Sequence, residues 1–138
     1  MDNNRDFIEK LRSSGLRPTK QRIRICKLLF DRKKTFHFTI NDVYKTFKKE
    51  NIKQISLATI YNTVHSFKEK GYLKEISINR EKSYFDTNTS DHHHFLDTST
   101  NELIDLKKEY VENIRINKNI PGKKITSIEV LVKIDNSN

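Results

Sequence analysis

The scarcities of this chain narrow its identity first. It holds one cysteine, two prolines and three glycines in 138 residues, and no apolar run approaches the ~18 residues of a membrane span. A single thiol, Cys26, excludes an intrachain disulfide framework and every Cys-x-x-Cys zinc clamp, so no structural zinc held by four cysteines is expected. The scarcity of glycine and proline argues against fibrous and low-complexity classes. The opening MDNNRDFIEK lacks the apolar core of a signal peptide, and the expectation is a cytoplasmic protein with no membrane partner. With 34% apolar and 33% charged residues the chain sits at the polar end of globular composition. At this length it holds one ordinary domain or two small ones, and two small ones call for a partner subunit to complete a core. A homodimer is therefore expected.

Charge is present in abundance and is unevenly spread. Residues 1–85 carry 20 Lys and Arg against 9 Asp and Glu, a net of +11, whereas residues 86–138 carry 7 against 9, a net of −2. A basic first part favours a polyanion, with a merely solvated basic face as the alternative that charge alone leaves open.

Four helical stretches precede residue 72. The first, Asn4 to Ser13, ends before Gly15, where glycine accepts the left-handed cap conformation. Thr19 caps a second with Ile23, Cys26, Leu29 and Phe30 on its apolar face, which makes Cys26 a core residue. Thr39 caps a third, marked by Ile40, Val43, Tyr44 and Phe47 at helical spacing. Ser56 caps a fourth that buries Leu57, Ile60, Val64 and Phe67. The outer face of that helix is Ala58, Thr59, Asn62, His65 and Ser66, with Tyr61 at its edge. Small, uncharged and rich in hydrogen-bonding groups, this face suits a major groove.

After Gly71 the period changes. Leu73 to Ile78 and Lys82 to Asp86 read as two strands around the turn Asn79-Arg80-Glu81. Helices followed by a hairpin with a charged tip describe a winged helix-turn-helix, with a generic three-helix module as the alternative. Arg80 and Lys82 would then meet phosphates and fix position without reading sequence.

The most chemically loaded segment follows, YFDTNTSDHHHFLDTSTNELIDL from Tyr84. If Asp91 to Leu96 is a strand, alternation puts His92 and His94 on one face and His93 on the other. Asp86, Asp105 and His37 could complete a nitrogen and oxygen shell. Such a set without sulfur suits Fe(II), Mn(II), Zn(II) or Co(II). Imidazole is also an axial haem ligand, which makes His92, His93 and His94 candidates for haem. A surface histidine run with no ligand is the plain alternative.

The remainder reads as a strand with Leu103, Ile104 and Leu106, a helix around Lys108 to Lys118, and an alternating strand from Ile125 to Ile134 after Pro121-Gly122. This thin layer cannot bury both faces alone, and pairing with a second copy is the natural solution. The expected fold class is α+β: a winged helix-turn-helix over residues 1–85, a hinge at 86–90, and a small α/β dimerisation and ligand-sensing domain over 91–138.

GLRPTKQR (15–22), SLATIYNTVHSFKEKGYL (56–73), KSYFDTN (82–88) and HHHFLDTSTNELIDL (92–106) resemble the ferric uptake regulator family over essentially the whole chain. The triple histidine followed by an aromatic resembles most closely its iron response regulator branch. The resemblance implies a sequence-specific regulator of double-stranded operator DNA, mainly a repressor. Tyr61 matches a recognition-helix tyrosine that meets thymine methyls, Arg17 matches a basic residue reaching a minor groove, and Asn62 stands where many members carry arginine. Together with the charged positions, the candidate DNA contacts are Arg17, Lys20, Arg22, Ser56, Thr59, Tyr61, Asn62, Arg80 and Lys82. The family's regulatory metal site maps onto His37, Asp86, His92, His94 and Asp105. A second family metal site is matched only by His93 and Glu112 and is not expected as a separate site. Asp97 and Thr100 stand where many members carry the first Cys-x-x-Cys pair, and the Cys-Pro haem motif of some iron response regulators is absent.

Three mechanisms are open at this point. Haem engaging the histidines could release the operator. Alternatively, Fe(II) or Mn(II) at the same site could favour DNA binding, in a metal-corepressed or peroxide-sensing repressor. A small metal-dependent hydrolase is the third, disfavoured because no general base, nucleophile or substrate pocket is marked; the chain is not expected to be an enzyme.

Overall fold

The structure, a computed structural model, describes residues 4–50 and 55–137. The chain separates into two compact units, Met1–Thr89 and Ser90–Asn138.

The first unit runs α1 (Asn4–Ser13), α2 (Lys20–Phe30), β1 (His37–Phe38), α3 (Ile40–Lys49), α4 (Leu57–Lys70), β2 (Lys74–Ser77) and β3 (Ser83–Asp86). Its helix starts follow from hydroxyl side chains that satisfy otherwise unpaired backbone N–H groups. Thr19 accepts from Arg22 N, and Ser56 accepts from Thr59 N. Thr39 goes further and forms a reciprocal capping box with Asp42. Gly71 ends α4 at φ 94°, a conformation that costs any other L-residue strain.

The apolar stripes of α1 to α4 meet in one core built on Leu11, Ile25, Leu29, Ile60, Val64 and Phe67. Phe38 and Phe85 close it from the sheet, their rings stacked at 5.7 Å. Three details differ from the helical pattern. In α2 Ile25, off the expected stripe, is fully buried, whereas Ile23 and Phe30 are partly so. Leu57 is exposed because it lies in the first turn, ahead of the packed stretch, and Thr63 is fully buried in its stead. Thr63 can be buried because its hydroxyl donates to Thr59 O at 2.7 Å within its own helix.

The sheet of this unit has the order β1-β3-β2, antiparallel throughout. The β2–β3 hairpin is the wing; Ile78 N donates to Lys82 O, and Asn79 Oδ1 accepts from Glu81 N within the turn.

The second unit holds β4 (His93–Asp97), β5 (Glu102–Leu106), a 3₁₀ turn at Lys108–Tyr110 and β6 (Leu131–Ile134). Strand order is β5-β4-β6, with β4–β5 antiparallel and β4–β6 parallel. The expected helix over Lys108 to Lys118 is reduced to that single turn. Its start has no side-chain cap, and the stretch beyond carries β-branched and Asn residues (Val111, Asn113, Ile114, Ile116, Asn117) that favour other conformations. The final strand begins at Leu131 rather than Ile125. Among the described residues its partner is β4, whose register with it runs from His94 to Asp97; Val130 joins through its carbonyl, which accepts from His94 N at 3.1 Å, and residues 125–129 have no ladder to join. Among the described residues no helix is long and apolar enough to cross a membrane.

Candidate metal centre and nucleic-acid face

Each unit contributes a cluster of ligand-type side chains, built by strand register. In the first unit β1 and β3 pair His37 directly with Asp86. His37 Nε2 stands 3.0 Å from Asp86 Oδ2, while Asp86 Oδ1 accepts from Asn88 N at 2.8 Å. Asp86 is fully buried, where an ionised carboxylate is tolerated only with such partners.

In the second unit β4 and β5 pair His94 with Asp105. Asp105 Oδ1 lies 3.1 Å from His92 Nε2 and 3.5 Å from His94 Nε2, and both imidazoles are buried. Proton placement on His92 follows from its other nitrogen. Nδ1 lies 2.7 Å from the Ser90 carbonyl oxygen, which can only accept, so Nδ1 carries hydrogen. In the neutral ring Nε2 then presents a lone pair to Asp105, itself an acceptor. A proton or a metal cation must sit between two acceptors at that distance. A backbone carbonyl fixing the distal nitrogen of a metal-binding imidazole is the usual supporting arrangement in metalloproteins. The donor set, imidazole nitrogen and carboxylate oxygen without sulfur, fits Fe(II), Mn(II), Zn(II) or Co(II).

His93 points the other way, as alternation requires. Its Nδ1 accepts from Val130 N–H at 3.0 Å. The neutral ring therefore carries hydrogen on Nε2 and has no lone pair left for a metal in this arrangement. His93 lines a groove with Asp91, Lys108 and Glu112.

Asp97 and Thr100 close the β4–β5 hairpin. Asp97 Oδ1 accepts from Ser99 Oγ, Ser99 N and Thr100 N, and these hydrogen bonds, that from the Ser99 hydroxyl foremost, hold its carboxyl below the usual range. Asn101 completes the turn at φ 61°.

On the first unit, α4 turns Tyr61 and Asn62 to solvent, with Tyr61 53% exposed. Ser56 and Thr59 are neighbours at its start, their hydroxyls 3.0 Å apart, and Ser56 is committed to capping. Arg22 Nη1 donates to the Arg17 carbonyl at 2.9 Å, so Arg22 braces the loop that presents the exposed Arg17. Lys20 is exposed at the first turn of α2 and Arg80 at the wing tip, whereas Lys82 lies with its ammonium 5.1 Å from the Tyr84 ring centre. Sequence reasoning placed these residues but missed three supports: Ser90 behind His92, Val130 behind His93, and His65 beside Tyr61. The first two act through backbone atoms, which no residue type announces. The third was visible as an i, i+4 ring pair.

Cys26 is buried, and burial pushes its thiol up to about 12. It is a core residue without thiolate chemistry at neutral pH.

Comparison with known proteins is consistent along the chain. The profile of the ferric uptake regulator family matches residues 13–133. The peroxide operon regulator of Bacillus subtilis is 32% identical over 102 residues, covering 74% of this chain and 68% of that protein. The peroxide-responsive repressor PerR of Staphylococcus aureus is 32% identical over 109 residues, covering 79% and 72%. The crystal structure of the Vibrio cholerae ferric uptake regulator superposes with a TM-score of 0.69 at 22% identity, over 98% of this chain and all of that one, and shares its fold.

Proposed function

This chain belongs to the ferric uptake regulator family, whose members are transcription regulators rather than enzymes, and on that premise we propose a cytoplasmic, homodimeric, metal-dependent repressor of double-stranded operator DNA. In this reading His37 and Asp86 of the first unit and His92, His94 and Asp105 of the second hold one divalent cation, Fe(II) or Mn(II). The observation that carries it is the convergence of His92 Nε2 and His94 Nε2 on one Asp105 oxygen, at 3.1 and 3.5 Å, with His92 Nδ1 held by the Ser90 carbonyl, a nitrogen-and-oxygen donor set braced as metal-binding imidazoles are. The bound cation supplies the positive charge that ties five donors together. The chain's own residues do the rest.

Because the donors are divided between the two units, occupancy favours the interdomain arrangements in which all of them reach one point. In a two-fold dimer that preference sets the spacing of the two α4 helices, and thereby operator affinity. The +11 of residues 1–85 supplies general affinity through phosphates, and α4 supplies selectivity through Tyr61 and Asn62. Names of two relatives support a peroxide-responsive version of the same repressor. With Cys26 buried and its pKa near 12, such a response falls on the metal and its ligands rather than on a thiol.

A second reading is haem control with the opposite sign, as in the iron response regulator branch. It is favoured by the run of three buried histidines, His92 to His94. It requires one of them to leave its present partner; for His93 the cost is the hydrogen bond to Val130. Separate titrations of Mn(II) and haem into the protein with a duplex selected by it from a randomised pool decide the matter. Affinity raised by Mn(II) and indifferent to haem supports the metal reading; affinity lowered by haem and indifferent to Mn(II) overturns it.

A further inference from the structure

His65 lies on α4 one turn beyond Tyr61, and its ring packs against the Tyr61 ring, with centroids 4.2 Å apart at 41°. On its other side His65 meets Phe85 edge to face, at 5.5 Å and 86°. Phe85 is fully buried and stacked on Phe38, so it is a fixed wall of the core. Tyr61 by contrast is 53% exposed and has two side-chain torsions to be set. The half-buried His65 thus stands between a buried ring packed in the core and an exposed ring.

We propose that His65 is a positioning residue for operator reading: it transmits the fixed position of Phe85 to Tyr61 and holds the tyrosine ring in the orientation that meets base edges. This rests on the reading of α4 as the recognition helix. Holding one orientation before contact removes the ordering cost that a mobile aromatic would meet on binding, and so raises affinity for the correct duplex without touching nonspecific affinity. Plain helix support is the competing role of such an i, i+4 pair, and it would move stability instead. His65 also lines a groove with Arg22, Asn62, Ser66 and Lys70.

The test is a double-mutant cycle on the full chain, using a duplex selected from a randomised pool by the wild type, and a mixed-sequence duplex as the nonspecific probe. His65→Ala lowers affinity for the selected duplex about three- to tenfold, the scale of one aromatic pair, and leaves the mixed-sequence affinity unchanged. In a Tyr61→Ala background the same change has no further effect. His65→Phe, which keeps the ring and guards against loss of folding, restores at least half of the discrimination. Additive losses in the cycle, or equal losses on both duplexes, overturn the proposal while leaving the recognition helix in place. Should Tyr61→Ala itself leave the selected duplex unaffected, the reading of α4 falls, and the role of His65 with it.

Discussion

The two units differ in how each satisfies its own apolar surface. In the first, four helices and a three-stranded sheet enclose a continuous core, and among the described residues its large apolar side chains are buried or partly buried, Leu57 and Tyr61 excepted. Among the described residues of the second, only Leu96, Leu103 and Leu106 are buried apolar residues, while Tyr110, Ile116, Ile120 and Ile125 are more than half exposed. Exposed apolar side chains in such number on so small a unit mark surface that a second copy is expected to cover. The contrast teaches that the first unit encloses its own core, whereas the second, to which we assign dimerisation and sensing, leaves apolar surface that the proposed association would cover.

That contrast is open to breakage at several points. The largest effect should come from Phe67→Ala, which removes a fully buried ring from the first core and costs ~3–5 kcal/mol in denaturant unfolding. A loss below 1 kcal/mol would mean that the first unit is not held by its own core. Next, Ile116→Asp or Ile120→Asp in the second unit should shift the protein towards monomer by light scattering, with little change in the unfolding of residues 1–89 followed separately. An unaltered dimer would place the interface elsewhere.

Cys26 offers a third, intermediate probe, because it reports on the first unit alone. Its folded pKa of about 12 lies above the ordinary 9.0, so its contribution to stability is fully present below pH 9 and is lost as pH rises from there towards 12. Cys26→Ala should flatten that alkaline decline. At neutral pH a thiol reagent should label Cys26 only as fast as the first unit opens globally. Labelling at the rate of a free thiol would contradict the closed core.

The smallest effect belongs to the wing. Burial works to raise the Glu75 carboxyl, but the Ser83 hydroxyl and Lys68 ammonium, 3.3 Å away, bring it below its usual value. Its contribution is therefore present above the ordinary carboxylate range and lost as pH falls through it. For a pair still partly open to solvent, Glu75→Gln should cost at most ~0.5 kcal/mol at neutral pH, and less at acid pH.

Much of this was legible in the sequence, for reasons that can be traced to particular residues. Thr19, Thr39 and Ser56 mark helix starts by local chemistry, and the structure uses each as anticipated. The division of the histidine run follows from two-residue alternation alone, and His93 is indeed turned from its neighbours to Val130. What escaped was set by tertiary partners. The expected helix over Lys108 to Lys118 and the strand start at Ile125 rested on local pattern alone, and the strand lacks a ladder partner before Val130. Thr63 is buried through a bond to its own helix, which hydropathy does not register. The His92 tautomer depends on the Ser90 carbonyl, which is invisible to any reading of side chains.

The central claim is that ligands from two dissimilar units hold a single cation that governs DNA affinity. Operator affinity measured with and without Mn(II), for wild type, His37→Ala and His92→Ala, tests it most directly. The account predicts a metal-dependent gain of about five- to 150-fold in the wild type and its loss in both variants, one from each unit. A variant that keeps the full gain would show that its unit does not share the site.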